Sequence, residues 1–466
     1  MKPSHWHAAL ILLFAGVLVA AYLAAAPADT AGGVASVSQP STQGARNQAA
    51  AKPDAEDVKK IAAICTIYDP WYHADVIVTK FLAGFPTDDG LITAKVKIVS
   101  LYLDQSEPDD LGHNLAGHYG IPIYPTIEGA LTLGGEELAV DGVLLIGEHG
   151  QYPRNRYGQE MYPRMLMMKE VLRVFEYSDR VVPVWYDKHL SYNWLDAKWV
   201  YDRTKELGVP IMGGSVIPLI WREPAGFEHP IGVKIDEAVV VIYGELDRYG
   251  FHGLEMLQCM LERRAGGETG VKSVECVQGD AFHQAAKAGR IPMDLVATVL
   301  KERADIDMPK RPIKDNVKDP LAIIIDYIDG THAAVLQLNK YYGPRWFYAA
   351  KVDGEVQTCE FIYLAPPDYK YRKSSPAFSY LGLNEQQMFL TGRPQTPIER
   401  TLLTSGITST AVRSRHDGKP IKTPYLAINY KPYDFAPIRP SGSVPAGASL
   451  DPWPPENIKH LFHYKW

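Results

Sequence analysis

The chain has 466 residues, 46% of them hydrophobic and 22% charged. That is the composition of a globular protein long enough for two or three domains, and it excludes a fibrous or wholly disordered chain. A formal net charge of −6 leaves no electrostatic footprint for nucleic acid.

Ala8–Ala26 is a continuous apolar run behind Lys2, and Ala26-Pro27-Ala28 offers a small-residue cleavage site. Residues 1–28 therefore read as a signal peptide or signal anchor. Lys2 favours an outward-facing C-terminus, so the expected location is extracytoplasmic, membrane-anchored or secreted. Residues 29–57 have little to bury and read as a disordered linker. Over 58–220, strand-like and helix-like segments alternate, which predicts a Rossmann-like doubly wound parallel sheet. Ile61–Cys65 is the expected first strand, Asp75–Leu82 the first helix, Val96–Leu103 the second strand and Val143–Ile146 a later one. Met165–Phe175 is an expected helix, apolar at Leu166, Met167, Leu172 and Phe175. Val181–Trp185 is a strand. Asn193–Leu207 is a helix, apolar at Leu195, Trp199 and Val200 and stopped by Gly208. Pro210–Met212 opens the next strand.

From Asp236 the pattern changes. Ala238–Ile242, Leu321–Ile325, Ala333–Leu338 and Trp346–Ala349 read as strands, and Gly253–Arg263 as a helix. They place a C-terminal α+β domain with an open, mostly antiparallel sheet over 221–430. Residues 431–466 are Pro-rich and read as a surface wrap. Cys65, Cys259, Cys276 and Cys359 lack metal-type spacing. Buried thiols are expected, with a Cys259–Cys276 bridge as the alternative outside the cytoplasm.

In an open α/β sheet the loops beyond the strands' carboxyl ends hold the ligand. Here those loops carry Asp187-Lys188-His189 after one strand and Glu148-His149 after another. His73, Asp75, His149, Asp187, His189, His252 and Glu255 are candidates for a His/carboxylate cluster holding a divalent metal, without short ligand spacing. A dinucleotide fold signs its first turn with G-x-G-x-x-G, where backbone meets pyrophosphate. The corresponding turn, Thr66 to Asp75, has no glycine. Tyr68, Trp71 and Tyr72 are bulky there, and Asp69 repels a phosphate. Asp104 is the nearest candidate for a ribose-binding acid.

Several segments match one family in order. They are Tyr119-Gly120-Ile121-Pro122 with Asp141-Gly142-Val143; Asp187-Lys188; Gly208-Val209-Pro210 with Gly213-Gly214-Ser215; Tyr249-Gly250-Phe251-His252-Gly253-Leu254-Glu255; and Thr391-Gly392-Arg393-Pro394. Over roughly Lys59–Tyr430 the chain resembles the Gfo/Idh/MocA oxidoreductases. The resemblance implies NAD or NADP as cofactor and a sugar or cyclitol hydroxyl as target. It implies Lys188 beside the reacting hydroxyl and His252 as general base, with Asp187 and Glu255 as further catalytic candidates. Thr66, Asp104 and Glu148 become the cofactor-binding candidates. It also implies a homo-oligomer built through the open second sheet. The chain departs from the family at His189, where a proline is usual, at Arg248, where the histidine's aspartate partner is usual, and at the first turn. Two readings stay open. One is a nicotinamide-dependent oxidoreductase. The other is an exported, derived member without dinucleotide binding that binds or cleaves a carbohydrate-like ligand, with or without a metal, or only binds it.

Overall fold

The computed structural model describes residues 58–363, 375–434, 436–450 and 453–462, all within one unit running from Pro53 to Trp466. The signal or anchor segment and its linker lie outside the described residues. Among the described residues, no helix is long and apolar enough to cross a membrane.

The first sheet is parallel throughout, with strands β1 (Lys60–Cys65), β2 (Lys97–Leu103), β3 (Gly142–Ile146), β4 (Val184–Asp187) and β5 (Ile211–Gly214) in the order β2-β1-β3-β4-β5. The strands are apolar on both faces because helices cover both. Ile61, Ala63 and Cys65 enter one core and Ala62 and Ile64 the other, with the period of two that a strand imposes. Helices α1 (His73–Ala83) and α2 (Leu111–Tyr119) serve the first core. Helices α3 (Ile127–Thr132), α4 (Arg164–Tyr177) and α5 (Trp194–Glu206) serve the second. The chain reverses direction along the sheet between β1 and β3, which opens a crevice at their carboxyl ends.

The second sheet has eight strands: β6 (Trp221–Glu223), β7 (Ile235–Ile242), β8 (Val271–Gln278), β9 (Leu321–Tyr327), β10 (His332–Gln337), β11 (Trp346–Val352), β12 (Glu355–Ile362) and β13 (Ile421–Lys422). Their order is β13-β8-β9-β10-β7-β11-β12-β6, antiparallel except for β7 with β10. This is the open, mostly antiparallel sheet expected. Its edges are open, but its faces are not. Helix α6 (Phe251–Leu261) packs on one face. On the other, α7 (Asp280–Lys287) and α8 (Met293–Ala304) bury Val239, Val241, Ile324 and Phe347 under Phe282, Val296 and Val299. The face that the resemblance assigns to oligomer formation is therefore covered by the chain's own helices.

Two helices complete the core, α9 (Ala377–Thr391) and α10 (Ile398–Asp417). Helix α10 contacts α5, α6, β5 and β8 and so joins the two sheets. Its buried residues mix the apolar Leu403, Ile407 and Ala411 with many Thr and Ser. Ser405 donates to the carbonyl of Thr401, Thr408 to that of Thr404 and Thr410 to that of Gly406, while Thr401 donates to the carbonyl of Gly213 and Thr404 to Glu255, which offsets the cost of burying them.

Two expected apolar positions face solvent. Leu166 is 59% exposed and Leu195 78%. Helix α5 instead buries Ala197, Val200 and Thr204, a three-and-four spacing that leaves Leu195 on the far side. All four cysteines are buried and unpaired, so the Cys259–Cys276 bridge is not formed.

The Gly213-Gly214-Ser215 turn shows why glycine is needed after β5. Gly214 has φ +117°, and a Cβ there would lie 2.6 Å from a carboxylate oxygen of Glu255. Gly214→Ala should therefore cost ~2–3 kcal/mol. Gly117→Ala, at an exposed α2 position with no atom in the way, should gain ~0.5–1 kcal/mol. Urea unfolding midpoints of the two variants should move in opposite directions. A shared direction contradicts the packing described.

Candidate active site

The site starts from three charged side chains buried at the carboxyl edge of the first sheet. Glu148 follows β3, Lys188 follows β4 and Arg164 opens α4. Lys188 Nζ lies 2.9 Å from Glu148 Oε1, and Arg164 holds the other carboxylate oxygen. Burial alone would raise the Glu148 carboxyl. Lys188 and Arg164 outweigh it and hold the group well below the usual carboxylate range. Lys188 Nζ also donates to the carbonyl of Arg248, at 3.1 Å. Arg248 sits in a π-helical turn, Leu246–Gly250, that runs into α6. Such turns break the regular hydrogen-bond ladder and are frequent at functional sites.

Above this group lies a cavity of about 220 Å³. Lys188 and Glu148 reach it from the first sheet, His73 from α1, and His252 and Tyr249 from the α6 side. Trp71, Tyr162, Trp346, Tyr363 and Phe378 give it aromatic walls. Ten described residues other than glycine have positive φ. Four of them, Trp71, His149, Lys188 and Ser375, line this one cavity. Such conformations persist where surrounding structure holds them, and they gather at active sites.

Three imidazoles face the cavity. His73 Nδ1 lies 2.7 Å from Asp187 Oδ2, at the end of β4. His149 stacks on Tyr72 with ring centres 4.4 Å apart. Burial, reinforced by His73, lowers its pKa to about 3. His252 Nδ1 lies 2.6 Å from Ser215 Oγ, and burial together with Lys188 holds its pKa well below the ordinary value.

The structure thus gathers Lys188, His252 and Glu148 around one cavity and places Asp187 directly behind it, on His73. It separates the other sequence candidates. Glu255 is fully buried beneath the site, against Arg400 at 3.3 Å, and accepts from Thr404 at 2.6 Å. It braces α6 against α10 and does not reach the cavity. Thr66 is buried and donates to the carbonyl of Glu148 at 2.7 Å, tying the end of β1 to β3. Asp104 receives hydrogen bonds from Tyr102 and Tyr152 in a different groove. His189 is buried against Arg164, and Asp75 turns into α1, where it accepts from Thr79. Among the described residues, no group of three or more His, Cys, Asp and Glu side chains is arranged to hold a metal, so the expected metal cluster is not assembled.

The first turn does not fit a dinucleotide. The Trp71 amide, one of the donors near the start of α1, is taken by Asp75 at 2.9 Å. Tyr68 is buried, with its hydroxyl 2.9 Å from Thr79. Its ring packs on Gly112 of α2, where an added Cβ would lie 2.9 Å away. The close-packing glycine has moved from the turn to the neighbouring helix. The groove outside β1 and β2 is lined by Asp69, Asp104, Glu107, Asp109 and Asp110. Five carboxylates there oppose a pyrophosphate.

Two features were not assigned from sequence. His73 was weighed only as a metal ligand, because nothing in its spacing pairs it with Asp187, 114 positions away. Arg164, hidden in a helix start, carried no motif.

The buried imidazoles set a pH dependence. Their pKa values are lowered in the fold, so the stability they contribute is complete above pH 6.5 and is lost as pH falls. The unfolded chain then takes up protons that His149, His189 and His252 refuse. Each contributes a slope of up to ~1.4 kcal/mol per pH unit. The melting temperature should fall steadily from pH 7 to pH 5, and less steeply in His149→Gln. A flat or rising profile contradicts neutral burial of these rings.

No family model matches the chain, and no curated protein sequence does. Solved structures do. GenD2 from gentamicin A biosynthesis, in complex with NAD, is 14% identical, with a TM-score of 0.51 over 78% of this chain and 96% of that one. Scyllo-inositol dehydrogenase from Lactobacillus casei is 9% identical, with a TM-score of 0.50 over 78% and 98%. At such identities the likeness is one of fold. The chain has the two-domain fold of these Gfo/Idh/MocA-type oxidoreductases, as its motifs implied.

Proposed function

We propose that the cavity binds a carbohydrate-like polyol and activates one of its hydroxyls by acid–base chemistry. The observation that carries this reading is the convergence of the buried Glu148–Lys188 pair and the imidazoles of His73 and His252 on one aromatic-walled cavity. A cation there stabilises charge developing on a hydroxyl oxygen, and imidazoles accept or donate its proton. Aromatic rings present an apolar surface to the C–H face of a sugar-like ring, while the polar groups fix its orientation. The volume, about 220 Å³, lies below the ~300–1,000 Å³ typical of pockets for drug-sized ligands. It suits a single sugar-like ring.

A second reading is a sugar or cyclitol oxidoreductase of Gfo/Idh/MocA type, using NAD or NADP. It is supported by the fold and by the position of Lys188 after β4, where the family's lysine stands. A nicotinamide would accept hydride from the activated carbon. The filled first turn and the acidic groove oppose its phosphates.

Titration calorimetry of the full chain with myo-inositol, D-glucose, NAD and NADP separates the two. The proposal expects a polyol to bind, with Lys188→Met weakening it at least about tenfold, and both dinucleotides to bind more weakly than ~1 mM, about −4 kcal/mol. Micromolar binding of NAD or NADP favours the oxidoreductase. Polyol affinity unchanged in Lys188→Met sinks the site assignment.

A further inference from the structure

Activating a hydroxyl requires a proton acceptor facing it. The cavity's ionisable groups can be sorted by what already holds them. Glu148 is committed to Lys188 and Arg164. Lys188 and Arg248 are cations, and His149, stacked on Tyr72, is made a poor proton acceptor by burial and by the neighbouring His73. That leaves His252 and His73.

Hydrogen-bond accounting distinguishes these two. The Oγ of Ser215 accepts the amide N–H of Ile217 at 3.1 Å. Among the described residues no other acceptor is hydrogen-bonded to this hydroxyl, so its proton points at His252 Nδ1, 2.6 Å away. A neutral ring that accepts at Nδ1 carries its proton on Nε2. His252 thus presents an N–H, which is a donor. At His73 the order is reversed. The partner of Nδ1 is the Asp187 carboxylate, which accepts, so Nδ1 carries the proton and Nε2 is bare. No hydrogen bond from another described side chain takes His73 Nε2. The ring is packed edge-on between His149 and Phe378, with centres 5.2 and 5.5 Å away.

We propose that His73, oriented by Asp187, is the proton acceptor of this cleft, with His252 and Lys188 donating to the ligand's oxygens. This deepens the polyol reading and rests on it. The ligand's O–H bond breaks and its proton bonds to His73 Nε2. The electron pair stays on the oxygen, facing Lys188. Asp187 stabilises the resulting imidazolium, as the carboxylate of a catalytic triad does. The pair stands in for the histidine–aspartate partnership that Arg248 breaks at His252. The charged or titratable groups around His73 are Asp187, His149, Glu148, Lys188 and His252.

Histidine nitrogen NMR of the full chain tests this without a substrate. At pH 7.5 the wild type should show His73 protonated on Nδ1 and bare on Nε2, and His252 the reverse. Asp187→Asn should redistribute the His73 proton. A His73 ring protonated on Nε2, or on both nitrogens, at that pH overturns the proposal. With myo-inositol or D-glucose, whichever binds, the His73 Nε2 resonance should shift as the ligand hydroxyl donates to it, and the shift should be lost in Lys188→Met. An Nε2 resonance unmoved by a bound polyol also overturns it. If neither polyol binds the wild type, the proposed ligand class fails, and the nitrogen assignment still decides the role of His73.

Discussion

The buried pairing of Glu148 with Lys188 and Arg164 is the constraint on which the site depends. Three charges lie out of water at the point where β3, β4 and α4 meet. Removing one member of such a group typically costs ~3–5 kcal/mol, because the others stay buried without compensation. Their mutual attraction fixes the heights of two adjacent loops, and those loops supply the cavity floor. Lys188 adopts φ +63°, and its contact with the Arg248 carbonyl carries the constraint across to the second domain's helix. The same pairing that ties the ends of β3 and β4 together aims a cation into the cleft.

Around this floor the fold accepts local costs. Four non-glycine residues at positive φ and several neutral buried imidazoles surround one small space. A chain selected only for stability would not gather them. The surrounding core is what sustains them. Helix α10 packs between the sheets with its buried hydroxyls hydrogen-bonded, and α7 and α8 seal the second sheet's far face. The first turn shows a related exchange. Tyr68 packs on Gly112 and Asp75 takes the Trp71 amide. One of the backbone donors near the start of α1 is thus taken from within the chain.

Much of this was legible in the sequence. The apolar runs of β1, β3 and β7 announced both sheets. Gly213-Gly214-Ser215 and His252 were readable through the family resemblance, and Lys188 also because it follows a strand end. Other parts were hidden for physical reasons. Helix α10 buries Thr and Ser around Leu403, Ile407 and Ala411, which blurs its apolar stripe. Leu195 follows the composition of a core residue but not its phase. Glu255 lies one turn from His252, yet its side chain turns toward Arg400. The His73–Asp187 contact joins residues far apart in the chain, and only the folded sheet brings them within 2.7 Å.

On the reading proposed above, this two-domain scaffold keeps an acid–base cleft while the place of a dinucleotide is filled by its own side chains. Native mass spectrometry of the purified full chain addresses it most directly. The account predicts a protein mass with no nicotinamide dinucleotide attached. A stoichiometric complex with NAD or NADP, surviving purification, would contradict it.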